Sequence, residues 1–228
     1  MTDFSTMKSD KEKAIFLAKR QLPELVCDAV NLEGINYTVP EVQTLLEGVT
    51  VGGHKLQDEK ITLNQANAWK LLFAMLKDNR FTLSKETACE LHAVAGEEES
   101  LKWGCFREGG VTIAGTDYQP PAAKQLDSLW DEMLTETNTI GDVYDQAIFV
   151  FLQMARNQFF YDVNKRMGRF MMNAMLLNAG YPAVNLPAKK QTEFNRLMLD
   201  FYASNDVESM TLFMRGCLDA RVIAIMSE

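Results

Sequence analysis

Apolar residues recur along most of this chain at the three- and four-residue spacing that lays them on one face of a helix. Start and stop signals divide the pattern. A first helix is predicted over 10–19. Pro23 suits the first turn of a second helix, which Gly34 can end. Thr38 and Glu41 make a capping box ahead of Val42, Leu45 and Leu46, with Gly48 as the stop. Thr62 and Gln65 repeat that logic before a longer helix ending near Asp78, and Ser84 caps the next, which ends at Gly96. The pattern then breaks. Phe106, Val111 and Ile113, with Gly109-Gly110 between them, predict a short β-hairpin ended by Pro120-Pro121. Helical spacing returns over 122–136 and 143–158. A polar interruption at 161–164 leads into another apolar helix, stopped by Gly180-Tyr181-Pro182. Helices over 188–203 and 206–226 complete the chain. The expectation is a mainly α fold with one β-hairpin.

A length of 228 residues suits one domain, or one domain with a small appendage. The formal net charge of -8 argues against a nucleic-acid partner, because an acidic surface repels phosphate backbones. Cys27, Cys89, Cys105 and Cys217 form no CxxC pair, so the expectation is reduced thiols and no structural zinc. The N-terminal stretch lacks an apolar signal core, and no run approaches the roughly 20 apolar residues of a membrane span. These points lead to an expected cytoplasmic protein with no membrane contact.

The segment 158–169, between two apolar helices, carries the most chemistry. A loop entering a helix N-terminus presents unpaired N–H groups and the positive end of the helix dipole, a natural anion site. Asp162 can hold Mg²⁺, which favours carboxylate and phosphate oxygens together. Arg166 and Arg169 offer planar forks that match phosphate oxygens. From the residues alone a second reading stays open: Asp162 as a helix cap, with both arginines on a solvated face.

The same segment resembles the Fic family, whose motif runs His-Pro-Phe-x-Asp/Glu-Gly-Asn-Gly-Arg-x-x-Arg. Phe160, Asp162, Asn164, Arg166 and Arg169 match it. The stretch from Phe170 through Leu177 to Pro182 also looks like the family. Residues 104–115 with Pro120-Pro121 are similar to the family's flap. Asn31-Leu32-Glu33-Gly34, with Thr38 and Glu41-Val42 after it, is similar to the inhibitory helix of one Fic class. The resemblance covers roughly residues 20–220. It implies an N-terminal helical segment, 1–60, with an inhibitory helix at about 23–34, and a Fic core, 61–228, with flap 104–120 and motif loop 158–169. ATP would be substrate or ligand. Asp162 would hold Mg²⁺. The backbone of Val163 to Lys165 and the Asn164 side chain would cradle phosphates, Lys165 adding charge, and Arg166 and Arg169 would take the outer ones. Val111, Thr112 and Ile113 would hold an unidentified target protein by strand addition. Glu33 would be a brake, pairing with Arg169. Ala29 departs from the Ser or Thr that opens the inhibitory pattern. A homo-oligomer is left open.

Gln158 stands where the family has its catalytic histidine. A carboxamide has no pKa near neutrality, and losing a general base costs on the order of 10²–10⁴-fold. Phe159 replaces proline, and Val163 and Lys165 replace glycines. The resemblance therefore implies a nucleotide-binding Fic fold whose transfer of AMP to protein hydroxyls is weakened or absent. The alternatives are a non-catalytic, nucleotide-responsive interaction module and a phosphotransferase like the Doc branch, which also carries a lysine at the position of Lys165. Of the two histidines, His54 is expected on a surface loop and His92 in a packed structural role, neither reaching the motif.

Overall fold

The computed structural model describes residues 6–228. The first five residues of the N-terminal segment, and the signal-core reading that includes them, lie outside the described residues. Helices succeed one another as α1 Lys11–Arg20, α2 Leu22–Asn31, α3 Val39–Leu46, α4 Leu56–Lys77, α5 Lys85–Ala95, α6 Leu126–Thr137, α7 Val143–Asn157, α8 Asn164–Asn178, α9 Gln191–Ser204, α10 Glu208–Arg215 and α11 Ala220–Ser227. The mainly α expectation holds.

The centre of the fold is the pair α7 and α8, which share its most extensive contact. Phe151, Leu152, Met154 and Ala155 on α7 and Met167, Met171, Met172 and Leu176 on α8 are fully buried. Helices α4, α5 and α1 pack against α8, while α6 and α10 pack against α7. The two central backbones meet closely at Gly168. A Cβ there would come within 2.8 Å of the Phe151 carbonyl oxygen, so glycine is what lets the helices approach.

Several caps were legible. Thr38 and Glu41 form the expected reciprocal box at α3, and the Ser84 hydroxyl accepts from Thr87 N–H at α5. Thr62 is not a cap. α4 begins at Leu56, and the Thr62 hydroxyl instead donates to the Asp58 carbonyl at 2.7 Å, one turn back. The expected helix over 206–226 is two, separated at Gly216, with Asp219 capping α11.

The β-hairpin does not form: among the described residues there are no strands, and 104–122 is an irregular loop. The reason is where its polar groups go. Arg107, almost wholly buried, donates to the carbonyls of Gly109 (2.7 Å) and Pro121 (2.5 Å) and also to Gln158 (2.5 Å) and Asn157 (3.3 Å). Its own N–H donates to the Phe159 carbonyl at 2.9 Å. Phe106 packs against Trp130, Phe159 and Phe160. The base of this loop is thus tied to the motif loop instead of to a strand partner.

Candidate functional site

Residues 158–163 turn the chain from α7 into α8, with left-handed backbone at both ends: Gln158 has φ 52° and Val163 φ 66°. A β-branched residue rarely adopts that conformation. Val163 nonetheless holds it, with its side chain buried at 3% exposure. Asn164 pins the turn from inside. Its Oδ1 accepts from Phe160 N–H at 2.9 Å, and its Nδ2 donates to the Phe160 carbonyl at 2.8 Å and to Gln158 Oε1 at 3.0 Å. Gln158 Nε2 donates to the Ala155 carbonyl at 2.6 Å. Both amides are therefore engaged within the turn, and the Asn164 side chain has no donor left for a phosphate.

His92 supports the turn from α5, contrary to the expectation that it stays away from it. It is fully buried, stacks on Phe160 at 3.9 Å, accepts from Gly104 N–H at Nδ1 (3.1 Å) and faces the Asp162 carbonyl at Nε2 (3.3 Å). The first bond makes Nδ1 the acceptor, so Nε2 carries the proton and donates. Burial holds its pKa down to about 4, keeping it neutral. His54 is half-buried, stacked on Tyr37 at 3.8 Å and facing Glu41 at 3.3 Å.

In front of the turn lies a cleft of about 430 Å³, walled by the α8 N-terminus, the 112–115 loop and one face of α9. No side chain caps α8, so the N–H groups of its first turn, in Asn164, Lys165 and Arg166, open onto this space with the helix dipole behind them. Asp162 is exposed at the rim, and its Oδ1 accepts from Val163 N–H at 2.6 Å. Thr112 and Ile113 line the cleft, whereas Val111 does not. Asn195 and Tyr202 of α9 face it as well; neither carries a local sequence signal.

The two arginines expected to take outer phosphates both face carboxylates. Arg166, 4% exposed, is gripped by both carboxylate oxygens of Glu99, one at 2.9 Å. Burial pulls its pKa down, but this hydrogen-bonded partner more than compensates, and the net shift is upward. Glu33 approaches Arg169 at 3.7 Å and Lys165 at 3.5 Å. Burial pushes the Glu33 carboxyl up, yet Lys165, Arg169 and Arg166 together bring it below the usual value. Arg169 does not line the outer cleft; it faces a smaller inner cavity. Glu99 left no trace in the sequence, because a Glu97-Glu98-Glu99 run reads as a solvated face. His92 did leave one: it falls on the buried stripe of α5 with Ala88, Leu91 and Ala95.

For a magnesium ion the fit is that of a shared ligand set. Among the described residues no cluster of three or more metal-binding side chains occurs. Asp162 is a single exposed carboxylate beside an anion-ready helix start, the donor set Mg²⁺ uses when phosphates and water complete its shell.

An all-helical domain with an uncapped helix start opening onto a cleft is the class these features define. Residues 82–176 match the model of the Fic/DOC family, and this part of the chain is a Fic/DOC-family domain. It is 24% identical over 222 residues to a protein adenylyltransferase Fic from Drosophila mojavensis and 24% identical over 221 residues to that of Drosophila willistoni. Each match covers 94% of this chain and 42% of the relative, so the chain spans about two fifths of the length of those proteins. Its fold is that of a Fic-domain-containing signalling protein from Bacteroides thetaiotaomicron (TM-score 0.79, 17% identity, 98% of this chain and 91% of that one). Fic-1 from C. elegans gives a TM-score of 0.76 at 16% identity, over 90% of this chain and 61% of that one.

Proposed function

We propose that this protein binds ATP with Mg²⁺ at the α8 N-terminus, and that its ability to transfer AMP to a hydroxyl of another protein is weakened or lost. The observation that carries the reading is the uncapped first turn of α8, open to a cleft with Lys165 and Asp162 at its edge. The N–H groups of that turn hold phosphate oxygens. Lys165 adds a full charge, and Asp162 holds the metal, which neutralises phosphate charge when bound. AMP transfer joins the target oxygen to the α-phosphorus and releases pyrophosphate, and the hydroxyl proton needs an acceptor. Gln158 stands in the acceptor's place, its amide tied to Ala155 and Asn164, and it has no basic atom to take the proton.

Glu33 acts as the brake in this reading. Its carboxylate faces Lys165 and Arg169 and competes with a phosphate in the cleft for Lys165. The 111–113 segment, outside any sheet, offers its backbone to a target chain. Calorimetric titration of Mg²⁺–ATP into the wild type and Glu33→Gly tests the reading. Tighter binding to the variant is expected; no binding to either protein defeats it.

A further inference from the structure

Cys89 and Cys105 meet where α5 packs against the start of the 104–122 loop. Lys85, Cys89 and Ala93 are spaced four apart and so share one stripe of α5. The loop runs along that stripe in the opposite direction. A Cβ at Gly104 would lie 3.1 Å from the Ala93 Cβ and 3.7 Å from the Cys89 carbonyl oxygen. The Gly104 N–H also donates to His92 Nδ1 at 3.1 Å. Two residues further on, the Phe106 ring centre sits 4.6 Å from Lys85 Nζ. Cys105, between these two contacts, falls beside Cys89, and the Phe106 N–H faces the Cys89 sulfur.

All four cysteines are free thiols, but their settings differ. Cys27 is buried, donates to the Tyr37 carbonyl at 3.2 Å and accepts from Asn31 Nδ2 at 3.3 Å. Cys217 is buried with Lys190 Nζ 3.8 Å from its sulfur. Cys89 and Cys105 are half-buried, open enough for a small oxidant to reach, and neighbours of each other. Burial pushes the Cys89 thiol up to about 11; Lys85 opposes that shift and Cys105 adds to it. Held protonated, Cys89 is a poor first nucleophile toward a peroxide, which leaves that step to Cys105.

We propose that Cys89 and Cys105 form an oxidative modification site, closed to a disulfide by hydrogen peroxide. The Cys105 sulfur attacks the peroxide and breaks its O–O bond. One oxygen stays as the sulfenic acid, and the other leaves as water with the thiol proton. The Cys89 sulfur then displaces hydroxide from the sulfenic sulfur, and its own proton completes a second water. Two thiols are oxidised and one peroxide is reduced. The bond fastens the base of the loop whose 112–115 stretch walls the cleft, next to His92 under the motif turn. The site is separate from the nucleotide reading and stands whether or not the cleft takes ATP.

The test treats the folded full chain with hydrogen peroxide, blocks the remaining thiols by alkylation, and maps tryptic peptides without reduction. Peptides 86–102 and 103–107 are expected as one linked species that dithiothreitol separates, with Cys27 and Cys217 recovered alkylated. The linked chain should stay monomeric and melt about 5–10 °C higher than the reduced one, since the bond closes a loop in the unfolded state. Cys89→Ser should leave Cys105 as a sulfenic acid that dimedone captures, without the rise in Tm. The wild-type map decides the matter even where that variant does not fold. The proposal is overturned if Cys105 passes to sulfinic acid with no linked peptide, if the only disulfide joins two chains, or if the linked protein melts lower than the reduced one.

Discussion

Arg166 and Glu99 form a two-pronged ion pair between the first turn of α8 and the loop after α5, with side chains 4% and 15% exposed. Removing one partner of a buried pair leaves the other charge without compensation. Glu99→Ala is therefore expected to destabilise the fold by about 3 kcal/mol, read from the midpoint of urea unfolding at unchanged slope. A loss below about 0.5 kcal/mol, the size of an exposed pair, would show that the contact is not held in solution.

Gln158→His combined with Glu33→Gly should restore a proton acceptor and lift the brake together. Auto-modification in ATP and Mg²⁺ is expected to rise on the order of 10²–10⁴-fold over Glu33→Gly alone, measured by intact mass. An AMP-sized gain supports the reading. A phosphate-sized gain favours the Doc-like alternative, and no gain removes the idea that only the base is missing.

Asn164→Ala deletes three hydrogen bonds that hold the turn and strands the Phe160 N–H in the interior. A loss of about 1–3 kcal/mol is expected for a buried donor left unpaired. The same variant should weaken nucleotide binding although the side chain has no free donor, because the turn that aims the N–H groups loosens. Unchanged affinity in calorimetry would separate the two effects and contradict this.

Gly168→Ala improves helix propensity yet pushes a Cβ to 2.8 Å from the Phe151 carbonyl. Overpacking against backbone should prevail, with a net loss of about 1–3 kcal/mol. A stabilised variant, measured by thermal unfolding, would mean that α7 and α8 are less tightly apposed.

His92 sets an acid dependence. Its folded pKa of about 4 lies below the ordinary 6.5, so between those values the unfolded chain binds the extra proton. Stability is fully present above pH 6.5 and falls as pH drops toward 4, by roughly 3 kcal/mol in all. His92→Gln should flatten that limb, and an NMR titration of the ring should report the low pKa directly. A ring titrating near 6.5 would count against its burial.

Capping chemistry and the uncapped start of α8 were legible because they depend on neighbours in sequence. Thr38 with Glu41, Ser84 with Thr87, and the α7–α8 turn each arise within a few residues. Thr62 misled because a capping-box spacing also occurs inside a helix, where the hydroxyl bonds one turn back. The hairpin misled because Gly109-Gly110 fixes only the local chance of a turn. Arg107, reaching carbonyls at 109, 121, 157 and 158, decided where that segment's polar groups went.

By itself, then, the sequence determined the helices, the loop between α7 and α8, and the acid and cations gathered near it. Only the tertiary structure decided how those charges are shared. It gave Arg166 to Glu99, turned Arg169 toward an inner cavity, left Lys165 at the cleft beside Glu33, and set His92 under the turn. The physical reason is distance along the chain. Helix periodicity and caps act over three or four residues, whereas the partner of a buried charge is chosen by whichever element packing brings within about 4 Å, here from 67 residues away.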